Sequence, residues 1–145
     1  VLFNYVEKHG EPLYDLINSN VKENRKVFFV HGGTEVEDRE EVRLLTEQEN
    51  NAIIVASYGT FSTGINIKRL HNIVFASPSK SRIRNLQSIG RVLRRGEGKT
   101  IATLYDIADD IGGQNYTLKH LNERVNIYNE ENFKYEVIKI NLKAN

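Results

Sequence analysis

The stretch from Asn51 to Ser77, NAIIVASYGTFSTGINIKRLHNIVFAS, decides the fold. It contains two apolar runs, NAIIVAS (51–57) and NIVFAS (72–77), each continuous rather than alternating. A strand whose residues are apolar on both sides is buried on both faces, which is the condition of a parallel sheet covered by helices. Between them lies YGTFSTGINIKRL (58–70), a loop by its glycines, serines and threonines. Pro78 stops the second run.

The same alternation continues in both directions. VLFNYV (1–6) is a short apolar run and reads as a buried strand. Pro12 suits a first helical residue, with Leu13, Leu16 and Ile17 at helical spacing after it. KVFFVHGG (26–33) is a second strand ending in a glycine pair, and EVEDREEVRLLTEQEN (35–50) is a charged helix with Val42 and Leu45 facing inward. SRIRNLQSIGRVLRR (81–95) is a helix ended by Gly96, and KTIATLYDI (99–107) is a fifth strand. YTLKHLNERVNIYNEE (116–131) is a last helix carrying Leu118, Leu121, Val125 and Tyr128 on one stripe, and FKYEVIKINL (133–142) reads as a terminal strand. Strand and helix alternate, so the expectation is an α/β domain of three αβα layers with a mainly parallel central sheet. Ligands of such sheets bind beyond the C-terminal ends of the strands, where the loops begin at His31, Ser57, Ser77 and Asp106.

The 145 residues make one domain by length. Apolar residues are 39% and charged residues 27%, ordinary for a soluble globular domain. No apolar run approaches the roughly 20 residues of a membrane span, and no signal peptide is visible. Cysteine is absent, which removes disulfides and thiolate metal sites and fits a reducing cytoplasm. His9, His71 and His120 are too scattered for a metal site. The chain opens directly inside a strand, which reads as a piece of something longer. Net charge is only +1, but seven basic residues gather between Lys80 and Lys99 against Glu97. Such a segment suits a polyanion such as phosphate or nucleic acid.

The basic segment ends in GKT (98–100), the close of a phosphate-binding P-loop. The motif requires a glycine at position 93, which is Leu93, and requires a strand before it and a helix after it. Here a helix precedes and a strand follows, so the P-loop reading fails, and with it a free-standing phosphotransferase. On the helical wheel, with Gln87 at zero, Arg91 lies at about +40°, Arg94 at about −20° and Arg84 at about +60°. Leu86, Ile89, Val92 and Leu93 fall on the opposite side. The helix thus buries one face and presents a row of guanidinium groups beside a glutamine on the other. A guanidinium is always charged and donates two parallel hydrogen bonds, which suits phosphate. Gly90 borders the row and leaves room for close approach.

These residues resemble those of a known family. QSIGRVLRR (87–95) resembles motif VI, Q-x-x-G-R-x-x-R, of superfamily 2 helicases, found in the second of their two RecA-like domains. VLFNYVEKHGEPLYDLI resembles motif IV, FFVHGGTEVEDRE the segment often called motif IVa, and IIVASYGTFSTGINIKRLHNIVF motif V with its following strand. The resemblance implies a RecA-like fold over 1–145, with 115–145 an extension particular to a subgroup. It implies ATP and Mg²⁺ as cofactors, held mainly by an N-terminal RecA-like domain of the same chain. Arg94 would be the arginine finger, Arg91 its phosphate-binding neighbour, and Gln87 a sensor of the phosphate or the attacking water. Gly64 and Asn66 would lie near the nucleotide; many members carry Asp in place of Asn66, so a charged contact there becomes neutral. Ser57, Thr60 and Ser62, with His31 and Gly32, would hold phosphates of one nucleic-acid strand. Such contacts position a strand without reading its sequence. His31 also reads as a strand-end histidine with no ligand, and Arg95 lies outside the motif. The run VASYGTFSTGINI most resembles the recombination helicases of phages. That implies single-stranded or branched DNA, possibly RNA–DNA hybrid, as partner, an infected bacterial cytoplasm as setting, and no membrane. The alternative is a non-hydrolysing RecA-like module that binds nucleic acid or a protein.

Overall fold

The computed structural model describes residues 1–22, 24–64, 70–77, 102–112 and 116–143, with the backbone alone for 62–64. Gln87, Arg91, Arg94 and Asn66, and the basic segment from Lys80 to Lys99, lie outside the described residues.

Among the described residues the strands are β1 (Leu2–Phe3), β2 (Val27–Val30), β3 (Ile53–Ser57), β4 (Asn72–Phe75) and β5 (Thr103–Asp106). They form one five-stranded sheet in the order β2-β3-β1-β4-β5, and every pairing is parallel. The helices are α1 (Glu11–Asn20), α2 (Val36–Gln48), α3 (Tyr58–Gly64) and α4 (Tyr116–Glu130). This is the α/β, RecA-like architecture expected from the continuous apolar runs. No described helix is long and apolar enough to cross a membrane.

The register sorts the strand residues onto two faces. Val30, Ala56, Leu2 and Phe75 lie in line across four strands, and with Ile73 and Tyr58 they form a buried cluster. Val42 of α2, Phe61 of α3 and Leu104 of β5 pack against it, so α2 and α3 cover this face. The opposite face carries Phe3 and Phe29, stacked at 5.6 Å between ring centroids, with Tyr14 of α1 on Phe29 at 5.3 Å. A π-type turn over Val6–Gly10 leads into α1, with Tyr5 O accepting from the N–H groups of both His9 and Gly10.

Two local expectations are corrected. Residues 58–64, expected as loop, are helical. Tyr58 is buried and its ring lies 5.5 Å from that of Phe75, while Phe61 packs on the core three residues on. That burial on one helical side overrides the weak helix preference of Gly, Ser and Thr. The expected terminal strand over 133–142 is chain without regular secondary structure outside the sheet, with its apolar side chains exposed up to 92% at Leu142.

One consequence is measurable. A Cβ at Gly10 would stand 2.4 Å from Cε2 of the buried Phe3 ring. Gly10→Ala is therefore expected to cost about 1–3 kcal/mol in denaturant unfolding, with Phe3→Leu in the same background recovering part of it.

Candidate nucleotide and nucleic-acid interface

All five strands point the same way, so their C-terminal ends form one edge. Across the sheet that edge reads His31 after β2, Ser57 at the end of β3, Asn4 after β1, Ser77 beyond β4 and Asp106 closing β5. At about 4.8 Å per strand the line is roughly 19 Å long. The connection from β1 leads to β2 on one side and that from β4 to β5 on the other, which places the topological switch crevice between β1 and β4. There Asn4 N–H donates to Ser77 Oγ at 2.8 Å and Asn4 Nδ2 to Ser77 O at 2.7 Å, holding the two strand tips together.

His31 opens a compact turn. Its backbone N–H donates to Thr34 Oγ1 at 3.1 Å, and Thr34 N–H returns to His31 O at 3.0 Å. Gly33 N–H donates to His31 Nδ1 at 3.0 Å, so the imidazole carries its proton on Nε2. The ring packs on Phe29 at 5.3 Å. Gly32 is exposed, and among the described residues nothing lies within 4 Å of a Cβ built on it, so there is space beside this turn.

Ser57 stands at the start of α3. Its hydroxyl donates to Thr60 Oγ1 at 2.8 Å and accepts the Thr60 N–H at 3.4 Å. Thr60 is buried and Ser57 half-buried, so Ser57 is the outer hydroxyl and Thr60 sets its direction. Gly64 and Ser62 belong to the same helix. The structure therefore brings His31, Gly32, Ser57 and Thr60 to neighbouring strand ends, with Ser62 and Gly64 one to two turns further along α3.

One cluster on this edge escaped the sequence reading. Arg124 of α4 is 1% exposed and grips Asp106 with Nε to Oδ2 at 2.7 Å and Nη2 to Oδ1 at 2.8 Å. Tyr128, one turn on, donates its phenol to Asp106 Oδ2 at 2.5 Å. Burial first, then the adjacent carboxylate, raises the Tyr128 pKa well above the usual phenol range and keeps it a donor. Arg124 Nη1 is buried and has no hydrogen-bond partner among the described residues. The signal for this lock was an arginine placed inside the apolar stripe of Leu121, Val125 and Tyr128. Asn4, a polar residue inside VLFNYV, was a similar sign.

A doubly wound parallel sheet with hydroxyl and open-backbone groups along its strand tips is the frame of a RecA-like motor domain, and residues 1–96 match the family model of the helicase conserved C-terminal domain. The chain belongs to that family. It is 42% identical over 155 aligned residues to the ATP-dependent DNA helicase uvsW of Enterobacteria phage T4. That match covers 98% of this chain and 30% of the T4 protein, so the chain spans less than a third of this relative's length.

The Asp106 lock predicts a large stability effect. Asp106→Ala leaves a buried guanidinium unpaired and should cost about 3–5 kcal/mol in denaturant unfolding. Replacing both partners, Asp106→Leu with Arg124→Met, should cost clearly less than the single change.

Proposed function

We propose that this chain is the C-terminal motor domain of an ATP-dependent DNA, or RNA–DNA, helicase or translocase that acts on branched nucleic acids in recombination, replication and repair. The observation that carries the reading is the shared edge: the exposed Gly32 turn and the Ser57 hydroxyl end neighbouring strands, and the β1–β4 crevice opens on the same side. Membership in the helicase family and the likeness to a phage DNA helicase support it.

Within this reading, the Thr60 hydroxyl turns to donate to Ser57 Oγ, which frees the Ser57 proton for a phosphate oxygen of the tracked strand, and the Gly32 backbone approaches a second phosphate. Backbone contacts of this kind grip without sequence preference. ATP supplies the phosphoanhydride bond whose cleavage drives the cycle. Arg94 and Arg91 would reach the terminal phosphate across the cleft from the other motor domain, with Gln87 acting alongside them. A guanidinium so placed neutralises charge in the transition state and can be worth ~10³–10⁵ in rate. Gly64 and Asn66 would border the nucleotide. Asp106 is a poor magnesium ligand because Arg124 and Tyr128 already occupy its carboxylate. The ion would instead be held by the other motor domain. Alternate closing and opening of the two domains on the same strand would advance the protein along it.

Two measurements test this. Arg94→Ala in the full-length protein should abolish nucleic-acid-stimulated ATP hydrolysis while nucleotide binding is retained; near-normal turnover would contradict the assignment. Ser57→Ala should weaken single-stranded DNA binding by about 0.5–1.5 kcal/mol equally across sequences, with thermal melting as the control for the lost contact to Thr60.

A further inference from the structure

We infer that Tyr5, at the centre of the strand-tip edge, is a stacking platform for a nucleobase of the bound single strand. The inference rests on the nucleic-acid reading above and adds a base contact to a grip that otherwise meets only phosphates.

Tyr5 occupies the middle of the edge. It follows Asn4 at the tip of β1, the strand that lies between β3 and β4. Ser57 closes β3 in register with Phe3, and Ser77 lies beyond the end of β4. Neighbouring strands are about 4.8 Å apart, so Tyr5 has one hydroxyl-bearing strand tip on each side. The crevice between β1 and β4 opens beside it.

The backbone is fixed on both sides of this residue. Before it, Asn4 N–H donates to Ser77 Oγ at 2.8 Å and Asn4 Nδ2 donates to Ser77 O at 2.7 Å. After it, Tyr5 O accepts from the N–H groups of His9 at 3.1 Å and Gly10 at 2.8 Å. Gly10 sits so close to the buried Phe3 ring that the turn is seated on the core. Tyr5 itself is extended, at φ −108° and ψ 118°, and is 70% exposed. Among the described residues no other ring packs on it. A flexible loop commonly leaves a tyrosine in water, but here a rigid backbone holds one there. Only two side-chain torsions remain to be ordered when its face is covered, so the entropy cost of stacking is small.

The surroundings select the partner. Every nucleobase has a π-face, and stacking on an exposed aromatic ring holds single strands without sequence preference. Ser77 Oγ accepts from Asn4 N–H and keeps its own proton, which it can donate to a phosphate or sugar oxygen of the same nucleotide. A strand that runs along the tips from Ser57 toward Ser77 passes Tyr5 between them.

The test is binding of a labelled single-stranded oligothymidylate to the full-length protein, alongside an oligonucleotide of equal length whose sites are all abasic. The second keeps every phosphate and offers no base. Tyr5→Ala is expected to weaken binding of the oligothymidylate by about five- to a hundredfold and to leave the abasic strand unaffected, which also controls for the fold. Tyr5→Phe keeps the ring and should bind both as the wild type does. Ser57→Ala, which removes a phosphate contact, should lower both alike. Equal losses on both oligonucleotides in Tyr5→Ala, or no loss on either, overturn the proposal while the phosphate grip stands. Lost affinity of Tyr5→Ala for a fluorescent ATP analogue, with oligonucleotide binding intact, also overturns it, by assigning the ring to the adenine of the nucleotide. A wild-type protein that binds neither oligonucleotide removes the nucleic-acid reading and this proposal together.

Discussion

Leu2 and Phe3 sit at the centre of the sheet, Leu2 in register with Ala56 of β3 on one side and with Phe75 of β4 on the other. Both are buried, and they carry the two faces of the domain. Leu2 joins the cluster under α2 and α3, and Phe3 stacks on Phe29 beneath α1. Because every pairing is parallel, this register also aligns the strand ends. Asn4 leaves β1 at the level where it can bind Ser77, and Ser57 closes β3 beside it. Shifting β1 by one residue would exchange its two faces and separate those tips together.

The strand-tip edge contains two kinds of polar group. His31, Gly32 and Ser57 are half-buried or exposed, with local hydrogen bonds that direct them while leaving space in front of Gly32. Asp106 is consumed by Arg124 and Tyr128 and serves the fold. Its lock fastens α4 to the end of β5. The family match ends at residue 96, before both elements, whereas the match to the T4 helicase covers 98% of the chain. The lock therefore belongs to the part of the domain outside the family's common region.

Much of this was readable beforehand. Strands β2 to β4 announced themselves because burial on both faces demands continuous apolar runs, and VFFV, IIVAS and NIVF are such runs. The charged helix α2 and the stripe of α4 followed from helical spacing, since one polar side must face water. Residues 58–64 were misread because their composition favours turns and the burial of Tyr58 and Phe61 cannot be seen locally. In the candidate site, Ser57 and His31 were legible as strand-end residues, but the burial of Thr60 behind Ser57 was not. Arg124 was hidden because an arginine is ordinarily read as solvated, and only its contact with a residue eighteen positions away makes its burial tolerable.

By itself the sequence determined the class of fold, most of the order of its elements and the failure of the P-loop, since these depend on periodicity, composition and spacing along the chain; the likeness to superfamily 2 helicases rested on the residues of its motifs. The tertiary structure alone decided the strand order β2-β3-β1-β4-β5, the meeting of Asn4 with Ser77, the pairing of Asp106 with Arg124 and the position of 133–142 outside the sheet. Those are contacts between residues distant in the chain. They are selected by the shared free energy of burial, hydrogen bonding and handed connections, to which no short stretch of residues holds the answer.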